Sequence, residues 1–255
     1  MQADRLTLIR RHLYMHGPTG VHDLARAVET SLATIRRDLQ RLEEQGLVLR
    51  THGGAEIAGS LGAEVGFESR EHHNLGAKRA IADQAFERIR PHSAIFLDSG
   101  TTVLQVARRL RLDPVPLTVF TNSLAIVDAL VGCDPIELVL LAGRVRQANR
   151  SVVGALAEQV IEGLWFDQLY LGASAVQSDN AIATLDSDEA RLNASMLRRS
   201  TEKYLLADSA KFGRHATYRV AAIDHVTTVY TDDALDEAWV THLEQLGVAT
   251  RRART

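Results

Sequence analysis

The stretch "SLATIRRDLQRLEEQGLVLRTHGGA", residues 31–55, decides how the first part of the chain folds. Ser31 suits a helix N-cap, because its hydroxyl can accept an orphan backbone N–H, and Gly46 suits the left-handed position just past a helix C-terminus. Ile35, Leu39 and Leu42 recur at i, i+4 and i+7, so the helix between those ends carries one narrow apolar stripe. At about 100° per residue, Arg37, Gln40 and Arg41 fall on the opposite side, with Ala33 and Thr34 beside them near the start. Arg36 and Arg37 therefore face outward. A solvated charged face is the ordinary meaning of such a pair, and the flanking sequence changes that meaning.

Upstream, Leu6, Ile9 and Leu13 share a helical face, the pattern breaks at "HGPTG", and "VHDLARAV" supplies a second helix a very short link before Ser31. Downstream, "LVLRTHGGAEI" reads as two short β pieces around Gly53-Gly54. Two helices in close succession, the second with exposed Arg and Gln near its start, form a helix-turn-helix, and a hairpin directly after it forms a wing. The residues expected on DNA are Ser31, Ala33, Thr34, Arg36, Arg37, Gln40 and Arg41 on the helix, with Arg50, His52, Gly53 and Gly54 on the wing.

Composition sets bounds on this reading. The chain has 255 residues, 45% of them hydrophobic, enough for a small domain and a larger one with a real core. Its net charge is -3, and residues 1–57 hold eight arginines against seven acids. Bulk charge does not announce a nucleic-acid binder, so binding has to come from the placement of charges and from dimerisation. A single cysteine, Cys133, excludes an intramolecular disulfide and suits a reducing cytoplasm. Charges interrupt the apolar positions of "MQADRLTLIRRHL", unlike a signal peptide, and no apolar run approaches the roughly 20 residues of a membrane span. The expected protein is cytoplasmic, with no membrane partner.

Residues 59–76 carry scattered glycines without a clear period and read as a linker between a domain at 1–58 and one at 77–255. After the helix "AKRAIADQAFERIR", strands are expected at "AIFLD", "LTVFT", "IELVLLA", "QLYLG", "YLLAD" and "TTVYT". Helical stretches such as "TVLQVARRL", "LAIVDALV", "ALAEQVIEG" and "DEARLNASMLRRS" separate them. That alternation predicts a Rossmann-like parallel α/β domain. The tail "RRART" reads as a solvated end.

The polar and small residues of this half follow the strands: Asp98, Ser99, Gly100, Thr101 and Thr102; Thr121, Asn122 and Ser123; Gly143; Gly172; Asp208 and Lys211. In a parallel sheet these positions lie along one edge, where open α/β folds bind ligands. "DSGTT" runs into a helix, so its N–H groups, hydroxyls and dipole can hold an anion, with phosphate the obvious one; an ordinary turn with a capped helix is the plain alternative. Lys211 can add a point charge to the same anion.

Both halves resemble the DeoR family of bacterial transcriptional regulators. The first half does so through Ser31, Thr34, Ile35, Arg36, Arg37, Asp38, Leu39 and His52-Gly53-Gly54-Ala55. The second does so through Asp98 to Thr102, Thr121-Asn122-Ser123, "FDQLYLGASAV", Asp208 with Lys211-Phe212-Gly213, and Thr231-Asp232. The resemblance implies a winged helix-turn-helix followed by a sensor domain similar to ribose-5-phosphate isomerase. It also implies a repressor of a carbohydrate or polyol operon that leaves its operator when a phosphorylated sugar or polyol binds. The family pattern has Gly-Gly where this chain has Gly143-Arg144, lysine where it has Asn193 and glycine where it has Ala181, departures expected at the non-phosphate end of the effector.

The rival reading is a sugar-phosphate isomerase-like enzyme carrying a DNA-binding domain, with Asp98, Asp186, Glu189 and Asp208 as its carboxylates. Against it, "YLGASAV" lacks the isomerases' Asp-Gly-Ala-Asp, and a winged helix has no use in a simple isomerase. No catalytic residue is therefore assigned. His12 and His16 at i, i+4 and His72-His73 lack further ligands at metal-site spacing, so no metal and no cofactor are expected. The expected partners are double-stranded operator DNA, a small phosphorylated metabolite and further copies of the chain, as a homodimer or homotetramer.

Overall fold

The computed structural model describes residues 2–44, 47–51, 53–57 and 66–255, which divide into two compact units, residues 1–65 and 66–255. In the first, α1 (Gln2–His16), β1 (Thr19–Gly20), α2 (Val21–Ala27), α3 (Leu32–Glu44), β2 (Val48–Thr51) and β3 (Gly54–Ile57) follow one another. The stripe on α3 is the core: Ile35, Leu39 and Leu42 are buried with Ile9 and Leu13 of α1, Leu24 of α2, and Val48 and Ala55 of the hairpin. Ser31 caps α3, its Oγ accepting the Thr34 N–H at 3.2 Å. The expected C-terminal glycine, Gly46, and the wing residue His52 lie outside the described residues.

Two local details differ from the sequence reading. "HGPTG" does more than interrupt: Thr19 and Gly20 form a strand antiparallel to β3, so the wing belongs to a three-stranded sheet in the order β1-β3-β2. Asp38 faces inward, 1% exposed, and holds the Arg5 guanidinium through Nε at 2.5 Å and Nη2 at 3.2 Å. The pair ties α3 to the start of α1.

The second unit begins earlier than expected. Residues 66–76 fall within the expected linker, yet α4 (Phe67–His72) lies here and Phe67 is 3% exposed in the core of this unit. Then come α5 (Leu75–Phe86), β4 (Ala94–Leu97), α6 (Thr101–Leu112), β5 (Leu117–Thr121), α7 (Leu124–Leu130) and β6 (Ile136–Leu140). A hairpin, β7 (Arg144–Arg146) and β8 (Ser151–Val153), leads to α8 (Ala155–Glu162), β9 (Phe166–Gly172), β10 (Ala175–Val176), β11 (Ala181–Thr184) and α9 (Ser187–Arg198). The chain closes with β12 (Ser200–Leu206), β13 (Tyr218–Ala222), β14 (Thr228–Asp232), α10 (Glu237–Gln245) and β15 (Ala249–Ala253).

Seven strands form one parallel sheet in the order β15-β14-β12-β9-β4-β5-β6. Successive strand residues point to opposite faces, and both faces are covered: Ile95 and Leu97 pack with α5, α6 and α7, while Phe96 packs with α8 and α9. Strands buried on both sides read as continuous apolar runs, which is why the sequence displays them. The tail is a correction: "ATRRA" is the edge strand β15, paired in parallel with β14 and anchored by buried Ala253, while Arg251 and Arg252 face solvent. Its alternation is too polar to stand out.

Candidate functional site

The structure places most of the residues expected on DNA on exposed surfaces of the first unit. Ala33, Arg36, Arg37, Gln40 and Arg41 are exposed along α3 away from its buried stripe, and Arg50 is exposed on β2. Thr34 and Ser31 bond each other, Oγ to Oγ1 at 2.8 Å, so both hydroxyls also serve the cap. The wing glycines have a fold role of their own. Gly53 has φ +83° and its carbonyl accepts the Val21 N–H at 2.8 Å, and a Cβ on Gly54 would lie 2.4 Å from the Thr19 carbonyl oxygen. These two residues fasten the wing to the entry of α2.

In the second unit the chain runs β4, β5, β6 toward one edge and then returns to lay β9 on the other side of β4. The carboxyl ends of β4 and β9 therefore flank a topological switch point, the place where open α/β sheets hold ligands. Gly100 and Gly172 meet there: a Cβ on either would stand 3.1 Å from the other's Cα. Such contact keeps side chains out of the crevice and leaves backbone at its floor. No side chain caps α6, which starts at Thr101, whereas Ser123 caps α7 and Asp186 caps α9. Thr101 and Thr102 are 7% and 5% exposed.

Asp98 lies at the base of this crevice, 2% exposed, its Oδ2 accepting the Gly172 N–H at 3.0 Å. Burial, reinforced by the nearby Glu189 carboxylate, pushes its pKa up to about 7 despite hydrogen bonds from Gly172 and Ser99. Asp208, after β12, accepts from Asn74 at 3.3 Å. Asp232 fixes the turn that carries Lys211 by taking the Ser209 N–H at 2.6 Å and its hydroxyl at 2.7 Å. Lys211 is half-buried, and its pKa is lowered by burial, with Asp208 opposing the shift.

Not every expected effector residue is free to face a ligand. Thr121 donates its hydroxyl to the Leu97 carbonyl at 2.7 Å, and Ser123 caps α7. Asn122 donates to the Val152 carbonyl at 3.3 Å but leaves its buried Oδ1 without a partner among the described residues. Gly143, with φ +151°, is required by the hairpin, since a Cβ would come 2.8 Å from the Val153 carbonyl. Of the departures, Arg144 pairs with Asp188 at 2.5 Å and Asn193 is buried on α9, while Ala181 pairs with Ala222 at the other end of β11 from Thr184.

Around the strand ends the structure joins Asn149 and Arg70, which carried no expectation, to Glu189 and Asp186. Asn149, 2% exposed, donates to Ser99 Oγ at 3.0 Å and to Glu189 Oε2 at 3.4 Å, and accepts from Arg70 at 2.6 Å. Glu189 also accepts from Thr184 at 2.9 Å and lies 3.3 Å from Arg146, which reaches Asp186 at 3.1 Å. This network lies beside the switch point. Lys78, on α5, is buried near Asp208 and Lys211. Arg70 and Asn149 sit in segments without helical or strand period, so nothing in the sequence marked them. Two open clefts of about 640 and 410 Å³ lie elsewhere, on the outer side of α6. Of their arginines, Arg109, Arg108 and Arg150 pair with Asp83, Glu71 and Asp128, and Arg111 donates to the Ala129 and Val131 carbonyls.

A winged helix-turn-helix joined to a parallel α/β domain with a polar crevice at its switch point defines a DNA-binding transcriptional regulator with a sensor domain. Residues 5–60 match the family model described as a DeoR-like helix-turn-helix domain, and residues 73–233 match the DeoR C terminal sensor domain. The chain belongs to the DeoR family. It is 37% identical over 228 residues to the HTH-type transcriptional regulator GlpR of Haloferax volcanii, covering 89% of each chain. It is 33% identical to the HTH-type transcriptional repressor CsqR of Escherichia coli, over 89% of this chain and 85% of that one. The glycerol-3-phosphate regulon repressor of Escherichia coli is 32% identical over 91% of each. Ribose 5-phosphate isomerase A of Methanocaldococcus jannaschii overlays 55% of each chain at a TM-score of 0.40 with 16% identity, a likeness that says nothing about activity or ligand.

Proposed function

We propose that the protein represses a carbohydrate or polyol catabolic operon and leaves its operator when a phosphorylated sugar or polyol enters the crevice between β4 and β9. The observation that carries this reading is the switch point itself, where Gly100 meets Gly172 and the uncapped start of α6 faces the crevice, with Lys211 two strands away. Backbone N–H groups at a helix N-terminus favour an anion, and the buried hydroxyls, amides and Glu189 alongside suit a polyhydroxylated body. A relative named a glycerol-3-phosphate regulon repressor supports the same chemistry.

The site reads as a sensor without turnover. Asp98 is turned to the Gly172 backbone, and Asp186 caps α9 and pairs with Arg146, so neither carboxylate is placed as a free base. On DNA the protein acts as a homodimer or homotetramer, because a first domain with so small a charge excess gains too little from a single set of phosphate contacts.

A thermal-shift panel of sugar and polyol phosphates, repeated with operator binding and product analysis, tests this. A true effector at 100 times its Kd stabilises by about 2.7 kcal/mol and releases the operator. Absence of any responding phosphate, or accumulation of an isomerised product, refutes it.

A further inference from the structure

The seven-stranded sheet ends in two unlike edges. At one end β15 reads "ATRRA", with Arg251 and Arg252 exposed along it, and charged side chains on an edge strand discourage pairing with another chain. At the other end β6 reads "IELVL", and among the described residues no strand pairs with its outer side. Its one charge, Glu137, accepts the Thr118 hydroxyl of β5 at 3.3 Å and is drawn back over the sheet. β6 contains no proline, and its register with β5 is unbroken by a bulge. The devices that protect an edge are present on β15 and missing from β6.

The backbone of β6 fits a strand. The Leu141 N–H bonds the Thr121 carbonyl on β5, so by alternation the N–H and C=O groups of Leu138 and Leu140 point away from the sheet. An added strand satisfies such a row. Apolar side chains flank it: Leu140 is 41% exposed at the carboxyl end and Val131, just past α7, is 62% exposed, while Ile136, Leu138 and Val139 are half-buried.

β6 is also complementary to itself. In a two-fold antiparallel pair centred on Leu138, its middle residue, every residue of the strand finds a partner. Leu138 exchanges both of its bonds with Leu138 of the second copy, and the Leu140 N–H meets the Ile136 carbonyl. Leu140 then packs on Ile136, and Glu137 lies opposite Val139, so the two carboxylates are not directly opposed. The same operation on β15 would set Arg251 against Arg251.

We propose that β6 is the edge through which two copies of this chain join, their sheets continuous across a two-fold axis at Leu138. The proposal rests on the reading of the protein as a homodimer or homotetramer and names the contact that this reading leaves open.

The test is the mass of the full chain by light scattering and sedimentation across a dilution series. Leu140→Arg copies the defence of β15 at an exposed position. It should keep the fold, read by circular dichroism, and weaken self-association by about 10-fold or more. A dimeric parent then gives monomers at concentrations where it was paired, and a tetrameric parent gives dimers. Leu112→Arg, 81% exposed on α6, should have the parent's mass. Leu138→Cys in a Cys133→Ser chain should form a disulfide-linked dimer on mild oxidation, since the Cα atoms of a hydrogen-bonded antiparallel pair lie about 5.5 Å apart. Leu140→Cys in the same chain should not, because its two copies stand about 13 Å apart along the strands.

Parent mass in Leu140→Arg overturns the β6 pair. So does a Leu138→Cys chain of parent mass that yields no covalent dimer, and if Leu140→Arg loses its fold, this oxidation result decides alone. A parent that is monomeric both free and on operator removes the oligomer reading and the β6 pair together. An oligomeric parent whose mass ignores Leu140→Arg removes only the β6 pair.

Discussion

A methyl group added to Gly54 would come within 2.4 Å of the Thr19 carbonyl oxygen and 3.1 Å of the Gly20 Cα, both of them backbone that cannot move without unpairing β1 from β3. Gly54→Ala should therefore destabilise the first unit by about 2 kcal/mol or more, read as a lower urea midpoint for that unit with the second unit's transition unchanged. Asp98 presents the opposite case, a carboxyl whose charged form the fold resists. Its carboxyl has a folded pKa of about 7 against an ordinary 3.8, so the native state binds the extra proton. The stability this contributes is fully present below pH 3.8 and is lost as pH rises through 7. Asp98→Asn can still accept the Gly172 N–H and no longer repels Glu189. It should raise the melting temperature at pH 8 and flatten its decline between pH 5 and 8. A decline as steep as the parent's would show that another group controls it.

At the scale of elements, α3 offers the clearest contrast between its two faces. Ile35 is fully buried and Arg37 is exposed two residues later. Ile35→Asp should unfold the first unit, because a carboxylate replaces a core side chain, and circular dichroism will read the loss. Arg37→Ala should leave the fold intact and weaken operator binding about 10-fold at moderate salt; parent-like affinity would mean that the arginine face is only solvated. Such periodic elements were legible from sequence: the stripe of α3, and strands whose two buried faces produce apolar runs such as "LTVFT", which matches β5 residue for residue. Elements held by tertiary partners were not. Thr19–Gly20 is too short to show a period, "ATRRA" is an edge strand with a polar face, and α4 is identified by Phe67 entering a distant core. The candidate site divides in the same way. Residues at strand ends announce themselves by position, while Lys78, Arg70, Asn149 and Glu189 converge from two helices, a short helix and a hairpin that only the fold brings together.

For the whole molecule, the question is how occupancy at the strand ends reaches the operator-binding helix. An effector can shift the DNA equilibrium only by its differential affinity for the two states, and a typical coupling of 1 to 3 kcal/mol corresponds to roughly a 5- to 150-fold change in operator affinity. Lys211 belongs to the second unit, and the core of the first is built from α1, α2, α3 and the wing alone. Removing its ammonium should therefore leave operator affinity without effector as it was. It should also weaken the effector's hold on both states, so that the concentration needed for release rises even if the full coupling returns at saturation. Lys211→Ala is then non-inducible at metabolite levels that release the parent, and titration with excess effector separates a lost contact from a lost coupling. A curve shifted to higher effector with the same end point places Lys211 in the binding step. A curve that reaches no end point places it in the transmission between states, and an unshifted curve removes it from the site. Because linkage is reciprocal, operator DNA should weaken effector binding to the parent by the same factor, measurable by calorimetry with and without a saturating duplex.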